Sequence, residues 1–111
     1  MTKHMAERVY FDGLKREIGF EEQPILSIHK SDFESWKVEF VVYEEEQAEF
    51  FKNALLSFEP IEVTIYVPFM SRLTGKVIVQ SVKDNEIIAK GTSFLNGYRS
   101  VYKRGKFVTA Y

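Results

Sequence analysis

The sequence contains no cysteine, which removes disulfides, thiolate nucleophiles and Cys-ligated zinc at once. A chain of 111 residues without disulfide staples reads as one made for a reducing compartment, so the expected location is the cytoplasm. Histidine is scarce as well. Only His4 and His29 occur, in no H-x-x-x-H or H-E-x-x-H spacing, and the expectation is no metal and no cofactor. No apolar run approaches the roughly 18 residues that span a bilayer, and the first five residues lead into charged sequence instead of a signal-peptide core. Those five, Met-Thr-Lys-His-Met, read either as the native start or as a leader ahead of a start at Met5. Six glycines and three prolines are scattered singly, so there is no linker, repeat or low-complexity stretch. The phosphate-cradling patterns G-x-x-x-x-G-K-[ST] and G-x-G-x-x-G are missing, and nucleotide hydrolysis is not expected.

What is present is aromatic and strand-like. Residues 1–111 make a single domain, which on folding hides roughly 65% of the unfolded surface. Ten Phe, six Tyr and one Trp make 15% of the chain, and such rings pack well on a half-buried pleated surface. Asp12-Gly13 between Arg8-Val9-Tyr10-Phe11 and Leu14 predicts a type I′ hairpin over residues 8–20, with Val9, Phe11, Leu14, Ile18 and Phe20 on one side. Beyond Pro24, Ile25-Leu26-Ser27-Ile28 reads as a short strand ending at Lys30-Ser31-Asp32, and Trp36, Val38, Phe40 and Val42 alternate as in a central strand.

The period then changes. Gln47, Phe50, Phe51, Ala54, Leu55 and Phe58 recur at spacings of three and four, predicting one amphipathic helix over residues 44–58. Glu44, Glu45 and Glu46 suit its positive end and Pro60 stops it. Strands follow at 61–67, at 76–82 and 86–89 around Lys83-Asp84-Asn85, and at 98–102 and 106–110 around Lys103-Arg104-Gly105. The fold class expected is α+β, mostly antiparallel, with about eight or nine strands in a curved sheet or small barrel and the helix over one face or end. Trp36, Phe40, Phe51, Leu55, Val63 and Ile65 should share one core.

Charge divides along the chain. Residues 1–62 hold seven Lys/Arg and fourteen Asp/Glu, whereas residues 63–111 hold eight and two. The split reads either as an acidic and a basic face or as halves that complement each other across strands, and the second is favoured.

Two segments are candidate surfaces. Val67-Pro68-Phe69-Met70-Ser71-Arg72-Leu73 ends a strand at proline and offers Phe69, Met70 and Leu73 beside the cation of Arg72, either as a partner contact or as a lid over the barrel end. Tyr98, Arg99, Tyr102, Lys103, Arg104 and Lys106 interleave rings and cations without an acid, as single-stranded nucleic-acid binders do. An amphipathic terminal hairpin explains the same pattern and is favoured, since the pI near 6.1 is not that of a dedicated nucleic-acid binder. His29, Ser31 and Asp32 crowd into one turn and make no catalytic relay. The leading functional expectation is a non-enzymatic protein-interaction, structural or assembly module, with a protein partner or a homo-oligomer. A nucleic-acid-binding module is the alternative, and a small enzyme with paired carboxylates comes third.

Overall fold

A computed structural model describes residues 2–14, 23–29, 32–70, 72–97, 99–103 and 106–110. It has one helix and a seven-stranded antiparallel sheet curled into a half-barrel, with a separate two-stranded hairpin. The strands are β1 (Thr2–Met5), β2 (Arg8–Phe11), β3 (Ile25–His29), β4 (Asp32–Val41), β5 (Ile61–Tyr66), β6 (Leu73–Lys83), β7 (Glu86–Gly91), β8 (Arg99–Lys103) and β9 (Lys106–Ala110), and α1 spans Glu45–Ser57. The sheet order is β1-β3-β4-β7-β6-β5-β2, so β4 lies inside the sheet as its alternation predicts.

Both edges of the sheet come from one stretch of chain. β1 pairs with β3 and β2 with β5, although only Ala6 and Glu7 separate β1 from β2. The Ala6 N–H donates to Pro24 O at 2.8 Å and the Glu7 N–H to Tyr66 O at 2.8 Å. A single bent ribbon thus supplies both edge strands of the sheet, each paired on one side.

The core forms where period-two strands present their apolar face. Trp36, Val38, Phe40 and Val42 from the β4 segment, Val63 and Ile65 from β5, Val77 and Val79 from β6, and Ile87 and Ala89 from β7 are all buried. α1 closes one end of this core through Phe51, whose ring meets Phe11 at 4.9 Å and Phe40 at 5.1 Å in edge-on geometry. Leu55 packs half-buried against the cluster.

At the other end Trp36 needs room, and two glycines provide it. A Cβ on Gly75 or Gly91 would stand 2.7 or 2.1 Å from the indole, so neighbouring strands carry glycine for close approach. The Trp36 Nε1–H donates to Ser93 O at 2.6 Å. That bond anchors an arch over residues 92–97, held to β6 by Thr92 N–H to Lys76 O (2.9 Å) and by reciprocal Thr74–Asn96 bonds of 3.0 and 2.8 Å.

Four expectations are corrected in detail. The Asp12-Gly13 turn is not type I′: only Gly13 has a positive φ, at 97°, and β2 pairs with β5; residues 15–22, which include Ile18 and Phe20, lie outside the described residues. Phe58 leaves the helix face, because α1 stops at Ser57 and Phe58 takes the left-handed cap conformation, φ 57°; it ends 69% exposed. Ala48, absent from the expected face, is buried instead. β6 starts at Leu73 and runs through Lys83, which shortens the turn to Asp84-Asn85. No described helix is long and apolar enough to cross a membrane.

Candidate binding surface

β6 runs eleven residues from Leu73 to Lys83, so at about 3.3 Å per residue its ends are up to roughly 33 Å apart. At its far end the Val42 N–H donates to Asn85 O at 3.1 Å, and the chain enters α1 directly. Glu44, Glu45, Glu46, Asp84 and Glu86 therefore gather at that end and are exposed. The charge split of the sequence is here partly a split between two ends of the molecule. Cross-strand complementarity exists too, since Glu62 lies opposite Lys76.

The near end is built around a turn. The Met70 N–H donates to Val67 O at 3.1 Å, Pro68 supplies the fixed φ of the first corner, and Phe69 takes the second at φ 66°. This is type II geometry, in which the second corner ordinarily belongs to glycine. Phe69 is 95% exposed, so neither its ring nor its backbone gains from the fold. Met70 is half-buried against the core, and Arg72 is exposed.

Leu73 does not belong to this surface. It is fully buried and pairs with Ile65 in the β5–β6 ladder, because it is already an inward position of β6 and not a loop residue.

The arch brings further rings. Leu95 is buried while Phe94 next to it is 57% exposed, and Tyr66, at the end of β5, is 37% exposed with its ring edge-on to Tyr10 at 5.8 Å. Neither Phe94 nor Tyr66 stands out in the sequence, since alternation alone does not tell which face of an irregular arch is wet. Gly97 (φ 92°) closes the arch against the Phe69 turn: a Cβ there would stand 2.6 Å from Arg72 O.

The basic segment leaves from this same place. β8 and β9 pair with each other in a sheet of their own, with Tyr102 opposite Phe107 and Lys103 opposite Lys106. Tyr98 and Arg104 lie outside the described residues. Arg99, Tyr102, Lys103 and Lys106 belong to this two-stranded sheet, which follows the arch in the chain.

Among the described residues another cleft offers acids but no buried pair. Glu39 and Glu86 line a cleft of about 310 Å³ floored by Phe40 and Ile87, yet Glu39 is ion-paired to Lys37 at 2.8 Å and Glu86 is exposed. A general acid needs a carboxyl held away from water, and this cleft supplies none. Among the described residues no three His, Asp or Glu side chains group as metal ligands. His29 pairs with Asp32 across the β3–β4 connection; Ser31 lies outside the described residues.

No protein-family model matches the sequence and no curated protein matches it. The fold is similar to the crystal structure of a hypothetical protein from Staphylococcus aureus, with a TM-score of 0.67 at 17% sequence identity, over 92% of this chain and 75% of that one.

Proposed function

We propose that this protein is a non-enzymatic interaction module that engages a protein partner with the end bearing Phe69. The observation that carries the reading is Phe69 itself. An aromatic residue in the left-handed region costs on the order of 1–3 kcal/mol of backbone strain, and at 95% exposure it recovers none of this by burial. Aromatic anchors ringed by polar groups are what interface hot spots are made of. Tyr66, Met70 and Phe94 extend the apolar area, and Arg72 gives it a positive edge. The complementary partner has an apolar pocket edged by acids.

The hairpin favours a second reading, a single-stranded nucleic acid stacked on rings with phosphates on cations, since residues 87–111 hold no acid. One purification separates the two. Untagged protein isolated from its own cells, next to Phe69→Gly and Arg72→Glu variants, should carry a discrete polypeptide that both variants lose. Bound nucleic acid in place of a polypeptide selects the second reading. Nothing bound, or a polypeptide retained by both variants, ends the first.

A further inference from the structure

A row of lysines crosses the outer face of the sheet. Lys3 pairs with Ser27, Ser27 with Lys37, and Lys37 with Lys90. Residues directly opposite in antiparallel strands project from the same face, so three ammonium groups and one hydroxyl line up across β1, β3, β4 and β7. Like charges directly opposite destabilise a sheet. Lys37 is offset by Glu39 at 2.8 Å, while no acid pairs with Lys90 among the described residues.

Two further features point to a ligand. Ser27 is 2% exposed and its Oγ has no hydrogen-bond partner among the described residues, a cost that buried hydroxyls ordinarily avoid. Gln80 is the extra residue of a β-bulge, because Val79 pairs with Ala89 and Ser81 with Ile88. Bulges re-aim side chains beside functional sites. Ser27, Ser35, Lys37, Gln80 and Lys90 line one cleft of about 200 Å³. Gln80 and Lys90 also border an apolar cleft of about 240 Å³ formed by Phe58 and Ile78.

We infer that this cleft binds the phosphate group of a small phosphorylated ligand: Lys37 and Lys90 neutralise it, the Ser27 hydroxyl and Gln80 amide donate to it, and the ligand's apolar body lies towards Ile78 and Phe58. This site is on the sheet face and is independent of the Phe69 end.

The test uses sodium phosphate and phenyl phosphate, each against sodium chloride at equal ionic strength, read by NMR shifts of backbone amides and by melting temperature. Both phosphates should give saturable shifts on β4, β6 and β7 and raise the melting temperature above the chloride control. Losing one charged donor weakens binding by about tenfold or more, so Lys37→Gln and Lys90→Gln should each do so. Ser27→Ala should weaken it several-fold, and Glu39→Gln should tighten it by freeing Lys37. Phe58→Ala should weaken phenyl phosphate alone. Without phosphate, Lys90→Gln should melt at or above the parent temperature. Shifts that grow linearly without saturation, equal shifts from chloride, or binding unchanged in both lysine variants overturn the site. Equal affinity for the two phosphates overturns the placing of the apolar body.

Discussion

Phe69 stands where the backbone prefers glycine, with its ring in water. A substitution that serves the turn and removes the ring separates structure from function. Phe69→Gly should leave the melting temperature unchanged or raise stability by up to about 1 kcal/mol, since glycine adopts positive φ without strain. Partner binding should fall at the same time. A drop in stability measured by urea unfolding would mean that the ring packs in the fold.

His4 gives a residue-scale prediction of a different kind. Burial of the imidazole in β1 lowers its pKa below the ordinary value of about 6.5. The neutral form is therefore favoured in the folded state, and the unfolded chain takes up the proton first. Stability from this group is fully present above about pH 6.5 and is lost as pH falls below it. The urea midpoint should decline as pH falls below about 6.5, and His4→Gln should flatten that decline. A parent curve already flat in this range would contradict the burial.

At the scale of elements, α1 is held by one ring more than any other. Phe51 is fully buried between Phe11 and Phe40. Phe51→Ala should cost about 3–5 kcal/mol, a large share of the roughly 5–15 kcal/mol that keeps a domain folded. Parent-like thermal melting would show that the helix does not seal the core.

Element order and type follow from period, as β4 and α1 illustrate: the Trp36 to Val42 alternation and the three-four spacing of Phe51 survive folding intact. What the sequence hides is where a period stops. Phe58 continues the helical spacing by count, but the left-handed cap turns it outward. Leu73 looks like loop after Pro68, yet is the first inward residue of β6. Asp12-Gly13 carries a type I′ signature, yet only Gly13 takes a positive φ, and β2 pairs at long range with β5. The Gln80 bulge and the alignment of Lys3, Ser27, Lys37 and Lys90 depend on register across four strands, which composition does not encode.

Over the whole molecule, the bent ribbon from Thr2 to Phe11 supplies both edge strands of the main sheet. Phe69, Arg72 and Phe94 collect at one end, joined through the contact of Gly97 with Arg72 O. The acidic residues around α1 and the Asp84 turn occupy the opposite end. This polarity also sets the signature of the competing reading. Four phosphate contacts from Arg99, Lys103, Arg104 and Lys106 would give a log–log salt slope near about −2.8 for a single strand. An oligonucleotide titration with that slope would move the function to nucleic acid.

Site-specific photo-crosslinking in the protein's own cells tests whether the end around Phe69 meets a protein. A photoreactive phenylalanine analogue at position 69 or 94 should join the chain to one discrete polypeptide on irradiation, and the same analogue at position 45 on the acidic end should not. The absence of any crosslinked polypeptide at 69 and 94, or equal crosslinking at 45, would contradict the account.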